Sequence, residues 1–135
     1  ISGSTDLIKV GLVRKIVSRG ISIGEIGVTG KARIIKNNLD MSLICPGEIL
    51  FVPKELMKNI PLSKNIAGIV TNQNVNDVYA LFNKNNKKIS TICNLENMDN
   101  HQISNGDLIT LQLNEGVIYM GQIEDDDAID KYKYV

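Results

Sequence analysis

The chain has 135 residues, 43% of them hydrophobic, enough for one core and too few for two domains of ordinary size. Its 15 basic and 15 acidic residues cancel, so the expectation is a domain that binds neither nucleic acid nor an anionic membrane surface by charge. The longest apolar stretches, 66–70 and 108–113, fall far short of the roughly 20 residues needed to cross a bilayer, and the first residues do not form a secretory signal.

Ile8, Val10 and Leu12 alternate with Lys9 and Gly11, the period of a short strand, and residues 14–19 read as one or two helical turns closed by Gly20. Gly24, Gly27 and Gly30 punctuate the next stretch without forming a GxGxxG fingerprint, and a strand is expected over 31–36. Further strands are expected at 48–52, 66–71, 89–93, 108–113 and 116–119, the last two joined by a tight turn at Asn114 and Glu115. Pro53 suits the first turn of a short helix over 53–59. The clearest helix follows Thr71: Val75, Val78, Tyr79 and Phe82 make an apolar stripe, Asn74 is placed to cap it, and Asp77 falls near its positive end. Residues 83–88 are Asn and Lys only and read as solvated surface. Strands alternating with short helices and ending in a hairpin give an α/β class with a mixed sheet. Ile occurs 20 times and Asn 15 times, a bias that fits an AT-rich genome better than any function.

Four stretches in order carry a resemblance: Gly30-Lys-Ala-Arg33, Gly47-Glu-Ile-Leu50, Ala67-Gly-Ile-Val-Thr71, and Gly106-Asp-Leu-Ile-Thr110 followed by Gly116-Val-Ile-Tyr119. They resemble the phosphohistidine domain of phosphoenolpyruvate-utilising enzymes, which implies a swivelling β/β/α fold over about residues 20–122. Upstream, Ser2-Gly-Ser-Thr-Asp-Leu-Ile-Lys-Val10 resembles the last strand of a pyruvate kinase C-terminal domain. Together the two resemblances imply the C-terminal extension that certain bacterial-type pyruvate kinases carry, and the Asn- and Ile-rich bias is similar to that of apicomplexan organellar members. The implied division is residues 1–14 as a remnant of the parent domain, 15–122 as the swivelling domain and 123–135 as a tail. The implied parent transfers phosphate from phosphoenolpyruvate to ADP with Mg²⁺ and K⁺, works as a homo-tetramer with this domain's partner being the rest of the enzyme, and resides in a plastid-like organelle if apicomplexan and in the cytoplasm otherwise.

In active members of the wider family the strand enters Thr-Glu-x-Gly-Gly-x-x-Ser-His, whose histidine carries the phosphoryl group. The ungapped match puts Thr71 on the threonine, Asn74 and Val75 on the glycines, Val78 on the serine and Tyr79 on the histidine. An imidazole is nucleophilic near neutral pH, whereas a phenol of pKa about 10 is mostly protonated there. Val75 adds a Cβ where a phosphate needs close backbone approach. The expectation is therefore an inactive phosphotransfer site, with Tyr79 packed in its stripe and its hydroxyl reaching outward. Other readings are a working phosphocarrier and a small-anion binding module. Gly3, Ser4 and Thr5 resemble part of an effector-phosphate loop. His101 sits in a polar loop far from the family's histidine, and the acidic run 124–127 reads as a solvated end or a docking tail. Cys45 and Cys93 lack a CxxC spacing and are expected as buried free thiols; no metal site or cofactor is expected in this chain.

Overall fold

The computed structural model describes residues 15–98 and 102–121. Eight strands, β1 (Ile16–Arg19), β2 (Ile21–Ile23), β3 (Val28–Ile34), β4 (Glu48–Val52), β5 (Ile66–Thr71), β6 (Thr91–Cys93), β7 (Leu108–Gln112) and β8 (Val117–Met120), form a mixed sheet in the order β1-β8-β7-β3-β4-β5-β6-β2. Strands β3 to β6 run parallel, while β7, β8, β1 and β2 join antiparallel. The parallel crossovers contain two 3-10 helices, Asn38–Leu43 and Lys54–Asn59, and one α-helix, α1 (Val75–Lys84). No helix among the described residues is long and apolar enough to cross a membrane.

The strand order has a geometric consequence. β1 and β2 are the two edges of the sheet, yet Gly20 alone separates them along the chain. One residue spans less than 4 Å, so the two edges must meet and the sheet must close on itself. Gly20 sits at the seam: its amide donates to the Gly116 carbonyl at 2.8 Å on the β8 side, and its Cα lies against β6 on the other. A Cβ there would run into the Cys93 carbonyl oxygen and stand 2.7 Å from Ile92 Cγ2.

Closure separates two cores. Ile49, Phe51, Val70 and Ile92 of the parallel half and Ile109, Leu111 and Ile118 of the antiparallel half belong to one buried cluster, the interior of the closed sheet. Their strand neighbours Leu50, Val52, Ile69 and Cys93 face the other way, onto Met57, Ile60, Val78 and Phe82 of the crossovers. Side chains alternate along a strand, so β4, covered on both faces, is apolar after Glu48 and buried at every position.

Strands at 48–52 and 66–71 and the hairpin match the sequence expectation. Four elements differ. Residues 14–19 were expected as helical turns, but 16–19 form β1, because their backbone groups complete the edge beside β8. β3 begins three residues early, and Gly30, read as a break, lies inside it. A Cβ at Gly30 would stand 2.6 Å from the Gly47 carbonyl, so this glycine admits a neighbouring backbone rather than ending a strand. The 3-10 helix over Asn38–Leu43 was not foreseen, although Asn37 and Asp40 form a reciprocal capping box before it. The short helix expected at 53–59 is a 3-10 helix that starts after Pro53.

Gly20→Ala should destabilise the fold by about 2 kcal/mol, the usual scale for an added methyl that backbone cannot yield to. Urea unfolding followed by circular dichroism measures this, and an unchanged midpoint would show that the seam is not tight.

Candidate functional site

The β5–α1 junction holds the residues singled out in the sequence. Thr71 ends β5 fully buried; its hydroxyl accepts the Gln73 amide at 3.1 Å and its carbonyl accepts the Leu95 amide at 3.2 Å. The Gln73 carbonyl accepts the Asn94 amide at 2.9 Å, and Asn72 Oδ1 accepts the Lys54 amide at 2.8 Å. The turn is thereby bonded to the loops leaving both β6 and β4. Such fixed backbone at the carboxyl ends of parallel strands is where α/β sheets commonly place ligands.

This turn, however, caps its own helix, with one first-turn amide taken by the Asn74 side chain. Asn74 Oδ1 accepts the Asp77 amide at 2.9 Å, while Asn74 Nδ2 donates to Asp77 Oδ2 at 2.9 Å. An arriving anion would meet a helix N-terminus with an internal cap and an acidic side chain in its first turn, where the dipole already has a negative partner. Val75 is half-buried and packs against the core, and Val78 is fully buried in it. Neither presents a hydroxyl.

Tyr79 departs from the expected packing. It is 39% exposed, and Leu81 joins Val75, Val78 and Phe82 on the inner face instead. The apolar arc is centred between Val78 and Phe82, which leaves Tyr79 at its rim. The five matched residues thus share one turn and helix, but the match supplies neither a nucleophilic imidazole nor an open backbone cradle.

The cysteines also divide. Cys93 is buried, its thiol 3.2 Å from the Ile21 carbonyl, and burial pushes its pKa up to about 11. Cys45 is exposed, contrary to expectation, because it lies in the turn before β4. Among the described residues no His, Cys, Asp and Glu side chains gather as a group of three that could hold a metal. Gly3, Ser4, Thr5, His101, the strand expected around Ile8 and the acidic run lie outside the described residues.

A second polar feature was missed in the sequence. Arg33 grips Glu48 through two hydrogen bonds of 3.1 and 2.9 Å, and Glu48 Oε1 also accepts the Cys45 amide at 2.6 Å. Burial opposes the Glu48 charge, but the bonds from Arg33 and Cys45 outweigh it and hold the carboxyl below its usual value. The same hydrogen bond to Glu48 raises Arg33 against the effect of burial. The clue was present: Arg33 and Glu48 are the oppositely charged members of two of the four resemblance stretches. Pairing them needed the parallel register of β3 with β4, which places Ala32 beside Ile49.

The site and fold together define a mixed α/β domain with a closed eight-stranded sheet and a self-capped β5–α1 junction. No protein-family model matches the chain. Among solved structures, RraAS2 of Streptomyces coelicolor, described as an unusual member of the RNase ES inhibitor RraA family, superposes with a TM-score of 0.53 at 14% identity over 98% of this chain and 85% of that one. This likeness is one of fold.

Two curated relatives are nearer in sequence. The chain is 30% identical over 123 residues to pyruvate kinase 2 of Synechocystis and 27% identical over 121 residues to pyruvate kinase of Staphylococcus saprophyticus. The matches take in 91% and 88% of this chain but only 21% and 20% of those proteins, so it spans about a fifth of their length. The chain is a pyruvate-kinase-related region.

Glu48→Gln should cost about 2 kcal/mol at pH 7, the scale of hydrogen bonds to a charged group. The folded pKa is lowered, so the unfolded chain takes up the proton first as pH falls. The contribution is complete above the unfolded carboxyl value of about 4.3 and disappears as pH drops through the lower folded value. Urea unfolding of wild type and variant at pH 7 and pH 3 checks this, with the gap between them expected to shrink in acid.

Proposed function

We propose that this chain is a non-catalytic C-terminal accessory domain of a pyruvate kinase, of the swivelling β/β/α type. The single observation that supports it best is the β5–α1 junction. Tyr79 stands at the position of the family's phosphohistidine, Val78 at its serine is buried in the core, and the helix end that would receive a phosphate is capped by Asn74 and carries the acidic Asp77. Phosphocarrier chemistry needs the nucleophile and the oxygen-binding donors in the same place.

On this reading the parent transfers the phosphoryl group of phosphoenolpyruvate to ADP with residues outside this chain, which would also hold Mg²⁺ and K⁺. Residues 15–122 form the domain, 1–14 continue from the parent and 123–135 form a tail. Its partner is the remainder of a homo-tetrameric enzyme, in a plastid-like organelle if the chain is apicomplexan and in the cytoplasm otherwise, and its contribution is structure, assembly or regulation. A domain without a reactive group still biases subunit packing and conformer populations through the surface it buries against its neighbour.

Incubation with phosphoenolpyruvate and Mg²⁺ should leave the intact mass unchanged, both for wild type and for Tyr79→His, because the histidine would still stand beside a helix end capped by Asn74 and made acidic by Asp77. A phosphoryl adduct on wild type would overturn the reading; one on the variant alone would show that the cap does not exclude phosphate. In the full enzyme, deletion of residues 15–135 should retain turnover while altering stability, assembly or effector response. Loss of turnover in a folded, correctly assembled truncation would mean that the domain takes part in catalysis.

A further inference from the structure

Asparagine occurs 15 times in the chain, and Asn105 alone is followed by glycine. That pair has a chemistry of its own, because no side chain on Gly106 shields its amide nitrogen from the preceding carboxamide. When the nitrogen attacks Asn105 Cγ, a new carbon-nitrogen bond closes a succinimide ring. The side-chain nitrogen leaves as ammonia, taking the amide proton with it. Water then opens the ring at either carbonyl and leaves aspartate or isoaspartate. Residues 104–107 form the turn that leads into β7, and Ser104, Asn105 and Gly106 are all exposed to the water the reaction needs. The Asp107 amide donates to the Ser104 carbonyl at 3.1 Å and Gly106 takes a φ of +89°, the pattern of a type II turn with Asn105 and Gly106 at its centre. Asp107 Oδ2 accepts the Ser104 amide at 2.8 Å and braces the turn.

Three hydrogen bonds hold this turn against β3, just beyond the last register pair of β3 with β7 at Lys31 and Leu108. The Ala32 amide donates to the Asp107 carbonyl at 2.8 Å, the Gly106 amide donates to the Ala32 carbonyl at 2.9 Å, and the Ile34 amide donates to Asn105 Oδ1 at 2.6 Å. The Asn105 side chain thus supplies the acceptor that a longer β7 would have offered to Ile34. Both reacting groups are thereby occupied. The N–H of the nucleophile is bonded to Ala32 and the carboxamide to Ile34, so ring closure requires both to let go. The bonds belong to an exposed turn, where local opening costs far less than global unfolding.

We propose that Asn105 is a self-modification site which the fold holds shut, and that it deamidates when the turn 104–107 lifts from β3. The two products then differ. Aspartate keeps an oxygen for the Ile34 amide and lets the turn close again. Isoaspartate routes the main chain through the former side-chain carbon, which adds a backbone atom between residues 105 and 106, so Gly106 and Asp107 no longer meet Ala32 in register. Opening therefore leaves a permanent mark beside Arg33, at the end of β3. This goes beyond the accessory-domain reading and does not depend on it.

Incubation of the 135-residue chain in mildly alkaline buffer, with peptide mapping of aspartate and isoaspartate at residue 105, tests the site. The folded chain should react about tenfold or more slowly than the urea-unfolded chain or a peptide of residues 102–109, the protection expected of a closed turn. Asp107→Ala removes the brace to Ser104 and leaves the reacting pair intact, so it should speed the reaction several-fold in a chain of unchanged circular dichroism. Asn105→Asp should keep the wild-type urea midpoint and the slow hydrogen exchange of the Ala32 and Ile34 amides, whereas the isoaspartate form should lose that protection. Equal rates in folded and unfolded chains would overturn the proposal, as would a folded chain that never reacts. So would an unchanged rate in folded Asp107→Ala, or an isoaspartate form whose Ala32 and Ile34 amides stay protected.

Discussion

The fold depends on one close approach, that of Gly20 to the strands on either side of it. A chain that leaves β1 for β2 in a single residue crosses from one edge of the sheet to the other, which is possible only if those edges already touch. The amide of Gly20 is bonded to Gly116, while its α-carbon presses on the backbone of β6, so both sides of the seam pass through an atom group with no room for a side chain. Closure brings the two edge strands of the eight-stranded sheet together at this residue, although β1 and β2 each keep a single hydrogen-bonded neighbour. It also creates the inside and outside that the apolar residues must serve.

That division explains which elements were legible in the sequence. β4 and β5 are runs of apolar residues bounded by Gly47, Pro53 and Asn72, and strands buried on both faces read in this way without alternation. Helix α1 was legible because Asn74 and the Val75, Val78, Phe82 spacing agree at the level of cap and stripe. β1 and β2 were not, since Ile16–Arg19 and Ile21–Ile23 are short and mix Ile with Ser and Arg. Their strand character comes from partners 68 to 103 positions later in the chain. The placement of Tyr79 failed for a finer reason: four apolar residues at helical spacing allow two arcs a few tens of degrees apart, and the core selects the one that includes Leu81.

At the junction the same comparison separates what sequence can state from what only geometry can. The absence of a histidine at the matched position was plain from the residues. The Asn74 cap was legible too, with Asp77 near the helix start; that the Asn74 amide group in turn donates to the Asp77 carboxylate, fixing an acidic group at that end, was not. The cap acts in the same direction as the missing imidazole, since a helix end that already holds an acidic side chain is less favourable to an anion.

The four resemblance stretches then find a physical role that does not involve catalysis. Gly30 makes room for the Gly47 carbonyl, Gly47 supplies the positive φ before β4, Arg33 near the end of β3 grips Glu48 at the start of β4, and Ala32 exchanges backbone hydrogen bonds with Gly106 and Asp107 at 2.9 and 2.8 Å. A Cβ on Gly68 would stand 2.8 Å from the Leu111 side chain across the interior, and Gly116 forms one side of the seam. Each stretch is thus a contact between strands, so a chain can keep all four while its β5–α1 turn changes freely. Close packing penalises a change at Gly30 or Glu48 whether or not the domain performs any reaction, whereas Tyr79, at the solvent, bears no such penalty. Resemblance carried by these stretches therefore tracks the closed sheet, and the chemistry of any such domain has to be judged at its own β5–α1 turn.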